Sequence, residues 1–324
     1  MSDIGSIFSI FEKIASVPAV CGFARARAEV VADLVRGLAD EIAFDALGSL
    51  VARRGDAKNI RVAVFVRLDD AGFMVKYVEQ DGRIRLMPLG ALDPGAIVGA
   101  RVRFENGLCG VLLSGLPADE AKKPTMADLF VDTGLSSHGV EVGSTASFAS
   151  ETLLQGDVAM GPSVGSVATC AAAIRFLQTT CNSDAGVAVV FASQSEVGQR
   201  GAKAASFSLK AEYGVAIDIS DASSALKTGA GPVLKWKDRS AVYCRDVLQR
   251  LEDAAHAEAV GLQHEILDRA DTETAGGHLL AAGIPAAALG IPVRYRLTAN
   301  EIANLSDAEQ TARTLAAFAG GYMK

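Results

Sequence analysis

The sequence has no long apolar run, and this absence excludes a membrane-spanning segment. No stretch reaches the roughly 18 consecutive apolar residues that a spanning helix needs. The first 17 residues carry Asp3, Glu12 and Lys13, and no basic start precedes an apolar segment as it would in a secretory signal. We therefore expect a cytoplasmic protein without a membrane partner.

Clustered positive charge is also scarce. The chain has 31 Lys and Arg against 38 Asp and Glu, a net charge of −7. A phosphate-binding surface needs clustered Lys and Arg. The short basic clusters, Arg53 with Arg54 and residues 235–237, are expected to lie on solvent-exposed faces. We predict no nucleic-acid partner.

Cysteine and histidine are too few and too scattered to form a recognisable site. The five cysteines are far apart and contain no C-x-x-C pair, which favours free thiols that pack as small hydrophobic groups. No local motif marks a nucleophilic cysteine. Only four histidines occur, and the eight-residue spacing of His256 and His264 is not a metal motif.

The order of strand and helix patterns predicts an α/β fold with an insertion. After about residue 157 strands and helices alternate, which predicts a largely parallel sheet covered on both faces. Between 70 and 156 short strands are separated by glycines, with hairpin signals at Asn106-Gly107 and Asp81-Gly82. We predict an α/β domain of 1–69 and 157–324 with a small all-β unit, 70–156, inserted in it. A last helix is expected to begin with a capping box at Ser306 and Glu309.

Motifs along almost the whole chain are similar to those of one enzyme family. Residues 66–77, VRLDDAGFMVKY, resemble AHMDEIGFMVKYI, and residues 194–202, QSEVGQRGA, resemble QEEVGLRGA. LFVDTG at 129–134 and IPVRY at 291–295 also match in order. The chain thus resembles the tetrahedral (TET) dinuclear zinc aminopeptidases, also called the glutamyl aminopeptidase or endoglucanase-M-like family.

The resemblance implies both an architecture and a reaction. The family has a three-layer α/β/α zinc-peptidase domain with a mostly parallel central sheet and an inserted, PDZ-like β-barrel. Two zinc or cobalt ions share a bridging carboxylate, and a glutamate takes the proton from a metal-bound water. Family members assemble through the barrel into dimers and twelve-subunit shells, so we expect a homo-oligomer between a dimer and a dodecamer.

Three metal ligands of the family are replaced at the matching positions. The first histidine corresponds to Arg67, which cannot lose its proton and repels a cation. The bridging aspartate corresponds to Gly161, which has no side chain. The last histidine corresponds to Leu297, which has no donor atom.

The other site residues match those of the resembled family only in part. Ser195 stands at the position of the general base, where a hydroxyl without a partner is a poor base. Asp69 matches the aspartate that orients the first histidine, and Glu196 and Asp218 match surviving ligands. Glu273 stands where the family has a Thr-Asp pair, and we expect it to line the cleft.

Arg67 has two interpretations. Its charge could replace the metal charge and pair with Glu196 and Asp218, which would otherwise repel each other in a buried cleft. Alternatively, it points to solvent at the domain junction. We favour the first, because two leftover carboxylates need a cationic partner.

Three functional hypotheses follow from the altered motif. The first is a pseudoenzyme with a degenerate metal site and no cofactor, whose cleft is kept for binding or regulation. The second is a metal-independent hydrolase in which Arg67 holds a substrate carboxylate and the surviving carboxylates act as acid or base. The third is an active metallo-aminopeptidase with a reduced site on Glu196 and Asp218, a poor zinc site without imidazole. The ligand would be a peptide or a small carboxylate. We favour the first.

Overall fold

The computed structural model describes residues 6–56, 59–117, 122–135, 139–180, 186–239, 241–268 and 283–321. In these ranges the strands form two sheets, an open sheet of eleven strands and a closed barrel. The helices are α1 Ile7–Ala15, α2 Arg25–Val35, α3 Pro94–Ile97, α4 Val164–Thr179, α5 Arg200–Ser208, α6 Arg245–Ala257 and α7 Leu305–Gly321, with a 3-10 helix at Met126–Asp128. None of the helices in the described ranges is long and apolar enough to cross a membrane.

The open sheet is parallel at its centre and antiparallel at its edges. Its strands are β1 Glu41–Phe44, β2 Leu50–Arg54, β3 Ile60–Arg67, β10 Leu153–Gln155, β11 Val158–Gly161, β12 Gly186–Ala192, β13 Ala211–Asp221, β14 Val233–Lys237, β15 Gln263–Ile266, β16 Ala286–Arg294 and β17 Glu301–Asn304. The central run β12-β3-β13-β16 is parallel. The strands β1, β2, β17, β11 and β10 pair antiparallel outside it. The predicted α/β fold is confirmed, and its sheet is mixed.

Helices cover both faces of the open sheet. On β3, Val62, Val64 and Val66 belong to a core shared with α1, α2, α4, α6 and α7. The alternate residues Ala63 and Phe65 pack in a second core with α5. Side chains alternate across a strand, so each face of β3 meets a different helical layer. This is the three-layer arrangement that the family resemblance implied.

The inserted strands close into a six-stranded antiparallel barrel. They are β4 Gly72–Val78, β5 Ile84–Leu89, β6 Arg101–Phe104, β7 Cys109–Ser114, β8 Leu129–Asp132 and β9 Thr145–Phe148, in the order β4-β5-β8-β7-β6-β9. The barrel has its own core, which includes Phe73, Ile84 and Val102. All six strands fall within the predicted insertion, 70–156, whose bounds stay a prediction.

A helical turn precedes strand β6 of the barrel. Helix α3 ends at Ile97, and β6 begins at Arg101. The Asp93 carboxylate accepts a hydrogen bond from the Gly95 backbone N–H at 3.0 Å and caps α3, with Pro94 at its first position. The Asp-Pro-Gly sequence therefore favours a helical turn before the strand.

The capping box predicted for the last helix is wrong. Helix α7 already includes Leu305, so Ser306 lies inside its first turn. The Asn304 side chain accepts the Ser306 backbone N–H at 2.9 Å instead. Glu309 forms a two-pronged ion pair with Arg175, at 2.8 and 2.7 Å, and this contact takes both of its carboxylate oxygens. Asn304 is therefore the capping residue.

We predict that Asn304→Ala lowers the free energy of unfolding by about 1 kcal/mol, the usual value of an N-cap. Ser306→Ala is the matched control and should change it by less than about 0.5 kcal/mol. Urea denaturation of the two variants measures both effects. A larger loss for Ser306→Ala than for Asn304→Ala would restore the sequence-based assignment.

Candidate functional site

Three charged side chains meet at the carboxyl edge of the parallel strands. Arg67 is the last residue of β3, Asp218 lies on the neighbouring β13, and Glu196 lies in the turn after β12. Ligand and catalytic sites of parallel sheets form at this edge, because the strands release their chains there together. The sequence motifs therefore converge on one place in the fold.

Arg67 joins the two surviving carboxylates. Its Nη1 donates to Glu196 Oε1 at 2.7 Å, and its Nη2 donates to Asp218 Oδ1 at 3.3 Å. The three side chains are 2%, 6% and 4% exposed. This is the pairing that the sequence predicted. Charged hydrogen bonds of this kind offset the cost of burying the ions.

A second cation, Lys235 on β14, completes the cluster. Its Nζ lies 3.6 Å from Asp218 Oδ2 and 3.4 Å from Glu265 Oε2. It also donates to the Ile219 backbone carbonyl at 2.8 Å, and Ser220 Oγ donates to Glu265 Oε2 at 2.8 Å. Lys235 is 1% exposed, so the expectation that residues 235–237 form a solvent-exposed face is wrong for this residue.

The two cations control the ionisation of Asp218. Burial acts to raise its pKa, but Lys235 and Arg67 outweigh burial and hold the pKa of Asp218 below its usual range. The folded protein therefore favours the ionised carboxylate, and this contribution to stability is lost as the pH falls through the folded pKa. Asp218 thus depends on these cations for its charge.

Asp69 supports the backbone around the cluster. Its carboxylate accepts N–H groups from Gly22 and Ser195, both at 3.0 Å, and from Gln194. Burial raises the pKa of Asp69 to about 6, although the three N–H groups act against this. In the resembled family the matching aspartate orients a histidine. Here it fixes the loop before α2 and the turn that carries Glu196.

The Ser195 side chain forms a hydrogen bond within the protein. Its hydroxyl donates to the Ala192 carbonyl at 3.1 Å, and the side chain is 4% exposed. No histidine among the described residues is placed as a base for it. The hydroxyl therefore helps to shape the turn after β12, and its geometry gives no sign of an activated nucleophile.

Gly161 and Leu297, which the resemblance matched to the bridging aspartate and the last histidine, are each held by local contacts. Gly161 ends β11 with φ +151°, and a Cβ there would lie 2.8 Å from Thr152 Cα. Leu297 packs against the barrel core and adopts φ +63°. Its N–H donates to Glu301 Oε1 at 2.9 Å, which fixes this rare conformation.

Little space remains beside the cluster. A cavity of about 10 Å³ lies between Arg67 and Glu196 on one side and the barrel residues Leu92 and Phe148 on the other. This is room for about one water molecule. Gly90 of the barrel is so near that a Cβ there would lie 2.8 Å from Glu196 Oε2. The barrel therefore closes over the charged cluster.

The residues in the described ranges do not fit a pair of divalent ions. No group of three or more His, Cys, Asp and Glu side chains there is placed to hold a metal. A guanidinium group lies between the two surviving carboxylates, where it would repel a divalent cation. Glu273, which was expected to line the cleft, falls in 269–282, outside the described residues.

Fold and motifs together define a protein of the aminopeptidase class, with an α/β/α domain and an inserted barrel. The M42 glutamyl aminopeptidase family matches residues 48–314, so the chain belongs to that family. A protein of Acetivibrio thermocellus with a provisional aminopeptidase assignment is 30% identical over 322 residues, 95% of this chain and 97% of the relative.

Solved structures show the same fold. An aminopeptidase from the archaeon Desulfurococcus kamchatkensis has a TM-score of 0.91 and 24% identity, covering 97% of this chain and 94% of that one. The TET1 peptidase of Pyrococcus horikoshii, which can assemble into a tetrahedron or a large octahedral shell, has a TM-score of 0.85 and 23% identity, covering 97% of this chain and 99% of that one.

We predict that Arg67→Met lowers the free energy of unfolding by about 3 to 5 kcal/mol at pH 7, because it leaves two buried carboxylates without their shared cation. The loss should be smaller near pH 4, because without Arg67 the burial of Asp218 favours its protonated form, which removes part of the uncompensated charge. Urea denaturation at both pH values measures this loss in the free energy of unfolding.

Arg61→Met is the matched control on the same strand. Arg61 pairs with Glu212 at 3.4 Å on the surface, so its loss should cost about 1 kcal/mol or less. Equal losses for the two variants, or an Arg67→Met loss that does not change with pH, would contradict the role given to Arg67.

Proposed function

We propose that this chain is a family member that neither holds the dinuclear metal pair nor hydrolyses peptides, and that its cleft serves binding or regulation. The observation that supports this most directly is the position of the Arg67 guanidinium, within hydrogen-bonding distance of both Glu196 and Asp218. A permanent positive charge there takes the coordination positions that a metal would need.

The losses at the other matching positions support the same proposal. A bridging carboxylate at position 161 would need Thr152 to move, because even a Cβ has no room there. A histidine at position 297 would have to leave the barrel contact that Leu297 now makes. Ser195, at the general-base position, uses its hydroxyl on the Ala192 carbonyl. Each replacement therefore has a local role of its own.

The two alternative functions have less support. A reduced metal site on Glu196 and Asp218 would have to displace Arg67 from both carboxylates. A metal-independent hydrolase in which Arg67 holds a substrate carboxylate would bring a third carboxylate to a guanidinium group that already donates to Glu196 and Asp218. A ligand such as a peptide or small carboxylate would therefore bind beside the cluster.

Assembly and location follow the family expectation. The Pyrococcus horikoshii relative forms shells, and this chain keeps a closed barrel of the kind through which family members are expected to associate. We therefore propose a cytoplasmic homo-oligomer, between a dimer and a dodecamer.

Metal content and hydrolysis test the proposed function directly. We predict less than about 0.1 zinc or cobalt ion per chain after equilibration with each metal and desalting, measured by elemental analysis, since carboxylates without imidazole bind zinc poorly. Aminoacyl p-nitroanilides should not be hydrolysed above background with either metal. An active family member treated in parallel should bind metal and hydrolyse its substrate.

The Glu196→Ala variant separates specific from incidental metal binding. Metal bound elsewhere on the surface would stay in this variant, whereas metal at the old site would be lost. About one or two ions per chain that disappear in Glu196→Ala, together with hydrolysis that disappears with them, would refute the proposal.

A further inference from the structure

A large cavity lies directly behind the closed cluster. Its volume is about 740 Å³, and its walls are the carboxyl half of α1, the loop 18–20 and the segment 147–154 that leads from the barrel to β10. Ligand pockets commonly have 300 to 1,000 Å³. It shares Ala71, Phe148 and Ser163 with the small space beside Arg67.

Hydrogen bonds fix the walls of this cavity. Asp70 N–H donates to the Ala19 carbonyl at 2.7 Å, and Cys21 N–H donates to the Asp70 carbonyl at 2.9 Å. On the opposite side, Ala149 N–H donates to the Arg101 carbonyl at 2.9 Å, and β10 pairs with β11. The cavity is therefore formed before any ligand binds, which limits the entropic cost of binding.

The floor of the cavity is a neutral buried ion pair. Arg27 Nη1 and Nη2 contact the two carboxylate oxygens of Asp70 at 2.8 and 2.6 Å, and Arg27 Nε donates to the Val17 carbonyl at 2.9 Å. The two residues are 2% and 5% exposed. Since the charges on the floor compensate each other, the floor does not select the charge of a ligand.

The rim carries charges of both signs that no described residue neutralises. Glu12 on α1, Glu151 in the connecting segment and Arg103 on β6 are exposed and line the cavity. In the ranges that the structure describes, none of the three side chains forms an ion pair or hydrogen bond. The exposed apolar side chain of Leu153 also lines the cavity.

We propose that this cavity binds a small zwitterion, a molecule with an ammonium group and a carboxylate group on an apolar body. The ammonium group would face Glu12 and Glu151, and the carboxylate would face Arg103. Complementary charges on the rim give orientation and specificity. Amino acids belong to this chemical class. The inference does not rest on the loss of hydrolysis.

Isothermal titration with three probes tests the inference. The probes are 6-aminohexanoate, hexylamine and hexanoate, which share an apolar chain and differ only in charge. All titrations contain EDTA, so that a metal at the old site cannot contribute. We expect 6-aminohexanoate to bind at least about fivefold more tightly than either singly charged probe, the size of effect that exposed charge pairs produce.

Substitutions of the rim residues then test which side chains face the ammonium group and which faces the carboxylate of the probe. Arg103→Gln should abolish the preference for 6-aminohexanoate over hexylamine, and the double variant Glu12→Gln with Glu151→Gln should abolish the preference over hexanoate. Arg101→Gln is the matched control, because Arg101 is exposed on the same strand but does not line the cavity. It should leave all three affinities unchanged.

Filling the cavity with a larger side chain tests whether 6-aminohexanoate binds there. Ala15 and Ser16 line it at the end of α1, and Ala15→Trp should weaken binding of 6-aminohexanoate at least tenfold. Ser16→Trp serves the same purpose if Ala15→Trp does not fold. No binding below 10 mM, equal affinity for the three probes, or unchanged binding in the folded tryptophan variant would overturn the inference. Metal content and hydrolysis are measured separately, so failure here is distinguishable from failure of the proposed function.

Discussion

The paired charges of Arg67, Glu196 and Asp218 are the interaction on which the rest of the site depends. They bring the ends of β3 and β13 and the turn after β12 to one point in the fold. Two buried carboxylates at this distance from a common partner would repel each other without a cation. Arg67 supplies that cation from within the chain, and Lys235 supplies a second one on the other side of Asp218.

A side-chain cation differs from a metal ion in ways that matter for chemistry. A guanidinium group neutralises charge and forms directed hydrogen bonds, but it cannot bind water as a Lewis acid and lower its pKa. It is also covalently held, so it does not exchange with solvent. Under the proposed function, the cluster therefore supplies stability and a fixed geometry rather than an activated water molecule.

The sequence predicted the parts of the site that depend on neighbouring residues in a motif. Arg67, Glu196 and Asp218 could be placed together because their motifs match the metal-site positions of the resembled family. Lys235 could not be identified, because one lysine between apolar residues on an unpredicted strand resembles a surface residue. The lack of room for a side chain at Gly161 also could not be predicted, since it depends on Thr152, whose position is set by the tertiary fold.

The replacements are coupled, and this coupling makes the altered site hard to reverse one residue at a time. A histidine at position 67 would leave Glu196 without its buried cation, and Asp218 with Lys235 alone, unless a metal bound at once. That metal would lack its bridging ligand while Thr152 occupies the space beside Gly161. Leu297 would still be packed against the barrel core, with its backbone fixed by Glu301. Under the proposed function, single reversions therefore lose stability before they regain any coordination, and the charge cluster is a self-consistent arrangement.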